Sequence, residues 1–257
     1  MRVSMLQRFV PNSFSLPHEV FELGLRPGPL LVYVSLVYLK SLRHSTDALN
    51  CAAISKLVGL CEKSVRTHLR ALESEGLIQV ANRGSKFICT LCPIWDRVEK
   101  LRAAAPARTR KISWRSTQQK WLTGEMFTAV FSLPNDVFRL GLKSGDLLVY
   151  IYLQYQKGTH SDQCWPSYAT IGAAAGMSRK TVQKHIGALI NKGLVHADYT
   201  SVFVRGQKVN GNLLYTVKPV EQVFREREKA LLDKLKLAEA QRKWDERIKR
   251  IAGAPQA

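Results

Sequence analysis

The stretch Cys164-Trp-Pro-Ser-Tyr-Ala-Thr-Ile-Gly-Ala-Ala-Ala-Gly-Met-Ser-Arg-Lys-Thr-Val-Gln-Lys-His-Ile-Gly-Ala-Leu-Ile-Asn-Lys-Gly-Leu194 decides how this chain is read. Ser167 stands where it can cap a short helix, Tyr168 to Ala175, and Gly176-Met-Ser178 then breaks the chain. A longer helix follows from Arg179 to Lys192, with Val182, Ile186 and Leu189 at i, i+4 and i+7 on one inward face. Gly193 is placed to end it, because glycine accepts the left-handed backbone that closes a last helical turn.

A short helix, a glycine-containing turn and a longer helix form a helix-turn-helix, whose second helix sits in the major groove of DNA. A groove about 12 Å wide admits one helix, so polar side chains on its outer face reach base edges. That face is Arg179, Lys180, Thr181, Gln183 and Lys184. Arginine and lysine match guanine acceptors, and glutamine matches adenine. Ser178 caps the helix, whose free backbone donors also suit phosphate. Over residues 164–194 the chain resembles the helix-turn-helix family of plasmid, phage and conjugative-element regulators and replication initiators. The resemblance implies a winged-helix fold in which the Ser-Arg-Lys-Thr-Val-Gln stretch opens the recognition helix.

Upstream, Ser144-Gly-Asp precedes the apolar run Leu147 to Leu153, which reads as a helix with Ser144 at its N-cap. Downstream, Leu194 to His196, Val202 to Val204 and Leu213 to Val217 have strand composition, with Arg205-Gly-Gln-Lys-Val-Asn-Gly211 as the turn between the last two. That hairpin is a wing, from which Arg205 and Lys208 reach neighbouring backbone or the minor groove.

The same pattern occurs 117 positions earlier. Phe14-Ser-Leu-Pro17 recurs as Phe131-Ser-Leu-Pro134, Leu23-Gly-Leu25 as Leu140-Gly-Leu142, and Leu30-Leu-Val-Tyr33 as Leu147-Leu-Val-Tyr150. The register holds without a gap through Gly59 and Gly176, Val65 and Val182, His68 and His185, to Gly76-Leu77 and Gly193-Leu194. In this first copy Asn82-Arg-Gly-Ser-Lys86 makes a shorter wing turn between Leu77 to Val80 and Phe87 to Leu91. Its recognition helix departs from the second, because Cys61-Glu62-Lys63-Ser64 replaces Ser178-Arg179-Lys180-Thr181. Glu62 suits a helix N-terminus and can accept from a cytosine amine, but it repels phosphate. Lys63, Ser64, Arg66, Thr67 and Arg70 remain for DNA, with Arg83 and Lys86 on the wing. His68 and His185 are read as packing residues, and Phe21, Tyr33, Phe138 and Tyr150 as core.

Charge agrees with a polyanionic partner. The chain of 257 residues carries a formal net charge of +19. Basic residues exceed acidic ones 11 to 6 over 1–91, 8 to 3 over 92–130, 10 to 4 over 131–219 and 10 to 7 over 220–257, so no single tail explains the excess. Five cysteines, Cys51, Cys61, Cys89, Cys92 and Cys164, make no disulfide framework, and Cys89-Thr-Leu-Cys92 lacks the second close pair of a zinc site. No metal or other cofactor is expected. A phosphate-cradling loop, a paired-histidine motif and a nucleophile elbow are all missing from the sequence, so no enzyme chemistry is expected either. The N-terminus lacks a secretory pattern and no apolar run can span a bilayer, which points to a cytoplasmic protein with no membrane partner.

The expected fold is mainly α with small β wings: two tandem winged helix-turn-helix domains related by the internal repeat, plus a C-terminal helix. Domain 1 covers 1–94, a basic linker 95–126 including Ala103-Ala-Ala-Pro-Ala-Arg-Thr-Arg-Lys111, domain 2 127–219, and a charged helix with a frayed end 220–257. In the tail, Phe224, Leu231, Leu235 and Ala238 keep helical spacing until Asp245 breaks the stripe, which suits packing on domain 2 or self-association. The expected function is sequence-specific binding of double-stranded DNA by two recognition helices, on half-sites about 10 bp apart, inverted or direct. Transcriptional regulation and replication initiation on a mobile element both fit, and a protein-interaction adaptor is the reading of a different class.

Overall fold

Helix α1 (Pro27–Leu42) opens on a proline, whose fixed φ suits a first helical turn. Leu30, Leu31, Val32, Tyr33, Val34, Leu36 and Leu39 are buried around most of its circumference, which makes it a central helix. Helices α2 (Cys51–Val58) and α3 (Glu62–Ser74) pack on it, and α3 turns Val65, Leu69 and Leu72 inward. Strands β2 (Ile78–Arg83) and β3 (Lys86–Leu91) form an antiparallel hairpin, bridged at its edge by Leu49 to Phe87. This computed structural model describes residues 12–42, 49–83, 86–104, 130–157, 161–204 and 207–252.

The same order of helices recurs further along the chain. Helix α5 (Ser144–Gln156) is the buried centre, α6 (Tyr168–Ala175) and α7 (Arg179–Asn191) pack on it, and α7 turns Val182, Ile186 and Leu189 inward. Strands β5 (Gln163–Cys164), β9 (Leu214–Val217) and β6 (Val195–Asp198) make a sheet in that spatial order, while β7 (Ser201–Val204) and β8 (Gln207–Asn210) form a separate hairpin. The architecture is mainly helical with small sheets.

Strand β1 (Ser13–Pro17) pairs antiparallel with β4 (Val130–Pro134), so the two repeated Phe-Ser-Leu-Pro segments lie side by side. Each leads into a 3₁₀ turn, His18–Glu22 and Asn135–Leu140. The described residues up to Val217 cluster as one compact unit.

Several expectations need correction. The N-cap of α5 is Lys143, and Ser144 is already its first helical residue. Gln207–Asn210, read as turn, is strand β8, paired Val202↔Val209 and Phe203↔Lys208; backbone pairing satisfies a polar segment that composition marks as loop. Asn82 and Arg83 likewise extend β2, and Lys86 opens β3. Trp95–Ala104, read as linker, is helix α4. Its anchors are tertiary: Val98 is buried, Arg97 Nε donates to the Leu23 carbonyl at 3.1 Å, and Arg102 Nε meets Glu22 at 2.8 Å. The basic stretch from Ala105 to Lys111 lies outside the described residues.

Residues from Lys218 onward form a second unit. There helix α8 (Val220–Ala252) is one uninterrupted helix whose first turns are tied by Lys218 Nζ to Glu226 at 2.8 Å. Leu231, Leu235 and Trp244 on it are exposed. Among the described residues no helix is long and apolar enough to cross a membrane.

Candidate nucleic-acid interface

The turn between α6 and α7 is set by Gly176 at φ +66, a left-handed backbone that L side chains adopt only at a cost. Ser178 then starts α7, its hydroxyl accepting from the Thr181 N–H at 3.2 Å and lying 2.8 Å from the Thr181 hydroxyl. This is N-capping: a side-chain oxygen takes one of the amide donors that the first helical turn leaves over. With Val182, Ile186 and Leu189 in the core, Arg179, Lys180, Thr181, Gln183 and Lys184 are all exposed on the other side. Three cations and an amide therefore share one face near the positive end of a helix dipole, where nothing but a negative or dipolar partner would be attracted.

A buried carboxylate locks that helix in place. Asp146, on α5, has its side chain 4% exposed, and its two oxygens meet His185 Nδ1 at 2.8 Å and Lys192 Nζ at 3.1 Å, both on or just after α7. A carboxylate this deep is tolerable only when both oxygens are engaged. The His185 ring fills the space over Gly145, where a Cβ would fall 2.3 Å from its carbon. His68 sits over Gly28 in the same way, and burial holds its pKa below the usual histidine value. Both histidines thus pack between the central helix and the longer helix above it. Nothing in the sequence marks Asp146 and Lys192 as partners of His185 or of each other; the spacing of Asp146 from His185, 39 positions, carries no local signal.

In the first half Cys61 occupies the position of Ser178 without a side-chain bond to the helix amides. Its thiol instead lies 3.1 Å from the Ser64 hydroxyl, and that hydrogen bond lowers its pKa. Lys63, Arg66, Thr67 and Arg70 are exposed on α3, while Ser64 is half-buried. Arg66 meets Glu62 at 3.4 Å, one turn away, so part of this face is self-neutralised. Between α3 and the β2–β3 hairpin runs a groove of about 520 Å³ to which Arg66, Arg70 and Lys86 contribute cations and Glu62 and Glu73 carboxylates. The structure therefore gathers Lys86 with the α3 residues. Arg83 stands at the tip of β2 and Lys208 on β8, and Arg205 lies outside the described residues.

The second half also presents two aromatic rings that sequence reasoning missed: Trp165, 66% exposed, and Tyr199, 92% exposed at the β6–β7 corner. Among the described residues no cluster of three His, Cys, Asp or Glu side chains is placed to hold a metal.

Residues 140–195 match the helix-turn-helix domain family. The matched span runs from Leu140, the last residue of the second 3₁₀ turn, through α5, α6 and α7 to Val195, the first residue of β6, so it contains the basic face and its capping serine. A helix-turn-helix domain in this span suggests a DNA partner. No curated protein matches the chain.

Proposed function

We propose that this chain is a sequence-specific double-stranded DNA-binding protein built from two winged helix-turn-helix domains, a transcriptional regulator of a mobile element. The observation that carries the reading is the face of α7: Arg179, Lys180, Gln183 and Lys184 exposed together on a helix whose opposite face is core. Side chains of these types pair with guanine and adenine edges in the major groove. Helix α3 is the second reader, with Lys63, Arg66, Thr67 and Arg70, and Lys86 on its wing flanks it. The net charge of +19 supplies the phosphate attraction on which such binding depends. The mobile-element setting rests on the resemblance of residues 164–194 to regulators of plasmids, phages and conjugative elements. No catalytic step belongs to this reading.

Selection of bound duplexes from a random pool, at near-physiological salt so that bulk electrostatics does not pass for specificity, tests it. A bipartite motif is expected. Recovery of no motif would remove the regulator reading and leave the adaptor.

Participation of α3 has its own check. Cys61 is exposed with its pKa lowered, whereas burial raises Cys89 to about 11 and Cys164 to about 12. Only thiolate reacts readily, so iodoacetamide is expected to modify Cys61 first and those two last. Saturating specific duplex should slow Cys61 labelling severalfold, followed by peptide mass spectrometry. An unchanged rate would take the N-terminus of α3 out of the groove.

A further inference from the structure

We infer that the two helix-turn-helix units are held in one chain as a two-fold pair, so that the chain reads an inverted site with two unlike halves. The inference rests on the DNA-binding reading above and concerns the orientation of what is read.

The antiparallel pairing of β1 with β4 carries it. Sequence equivalents are 117 positions apart, which makes Ser132 the equivalent of Ser15. In the sheet Ser15 pairs with Ser132 itself, Phe14 with Leu133 and Leu16 with Phe131. Where one residue pairs with another, their equivalents pair too, and a local two-fold axis passes between Ser15 and Ser132. A parallel pairing of the same two segments would lack that relation.

Contacts away from the strands obey the same exchange. Phe14 stacks on Phe138 with ring centres 6.0 Å apart and planes at 26°, and the equivalent pair, Phe131 on Phe21, lies at 6.3 Å and 27°. Tyr38 meets Phe138 at 4.6 Å, and Tyr155 meets Phe21 at 5.1 Å. The turn glycines follow suit: Gly176 faces the Leu25 carbonyl, and Gly59 faces the carbonyl of Leu142, the equivalent of Leu25. The 3₁₀ turn of each half touches the short helix of the other, and α1 packs on α5. Residue i meets j while the equivalent of j meets that of i, which defines an isologous interface.

Two DNA-reading heads related by a two-fold axis engage half-sites related by one, because the duplex has local dyads of its own. A head-to-tail arrangement would have suited direct repeats. The surfaces of α3 and α7 differ, so the inverted halves differ in sequence and the symmetry is hidden in the wild-type motif.

Making the heads identical exposes it. Cys61→Ser, Glu62→Arg, Ser64→Thr, Arg66→Gln and Thr67→Lys together give residues 61–68 the sequence of 178–185. The full-length variant is put through the random-duplex selection. One word recovered twice in inverted orientation is the expected result, and reversing one copy should weaken binding about a hundredfold by removing the second head. One word recovered twice in the same orientation, or once only, would overturn the inference while leaving DNA binding intact. Recovery of no word by the wild-type chain would instead remove the DNA-binding reading itself. Hydroxyl-radical footprinting of the wild-type chain on its own selected site is independent of how the variant folds. Protection symmetric about one dyad supports the inference, and protection that repeats by translation overturns it.

Discussion

A chain carrying Arg179→Ala, Lys180→Ala and Lys184→Ala is expected to lose specific duplex binding by about a thousandfold and to fold as before. Each good base-edge pair contributes roughly 1–3 kcal/mol, and about 1.4 kcal/mol is a factor of ten, so two such contacts with one phosphate contact reach that range. The fold is spared because all three side chains are exposed and alanine favours helix. Salt dependence separates their roles. Each phosphate contact removed should lower the slope of log affinity against log salt by about 0.9, whereas a base contact leaves it unchanged. Fluorescence anisotropy on the selected duplex at several salt concentrations, beside circular dichroism of the variant, checks both. Unaltered affinity would separate α7 from the DNA and favour the adaptor reading. The matching change on α3, Lys63→Ala with Arg66→Ala, is expected to cost less, because Glu62 already neutralises part of that face.

What the sequence discloses and what it hides divides by the range of the interaction. The helices α2, α3, α6 and α7 are written in local terms: apolar spacing at Val182, Ile186 and Leu189, a serine cap, and a glycine that must take positive φ. The basic face of α7 follows once its buried face is known. Strand β8 has a polar sequence, and only its ladder with β7 makes it a strand. Helix α4 shows one buried residue, Val98, and is held by Glu22 and Leu23, more than seventy positions away. Asp146 reads as an ordinary acidic residue in a first helical turn, yet it is the carboxylate that ties α5 to α7. The repeat was legible to the residue, but the pairing of its two Phe-Ser-Leu-Pro segments was not. Identical segments announce equivalence, and equivalence says nothing of whether the copies touch.

That contact makes a sharp difference between two glycines that are otherwise alike. Gly59 and Gly176 each follow the shorter of two consecutive helices at φ +66. Alanine at either position meets the same left-handed backbone penalty, roughly 1–2 kcal/mol. At Gly59 the nearest atom to an added Cβ is the Leu142 carbonyl oxygen at 3.9 Å, ordinary contact, so Gly59→Ala should cost that penalty alone. At Gly176 the Cβ would fall 2.7 Å from the Leu25 carbonyl oxygen and 3.3 Å from Arg26 Cα and Pro27 Cδ. These are backbone and ring atoms of the other half, which cannot swing aside, so overpacking adds about 1–3 kcal/mol more. Gly176→Ala is therefore expected to be the more destabilising by about 2 kcal/mol in urea unfolding. It also pushes the halves apart, so its affinity for a bipartite site should fall further than for a single half-site. Equal losses of stability for the two variants would mean that the halves do not press on each other at this turn, and with that the fixed relation between the two reading heads would go.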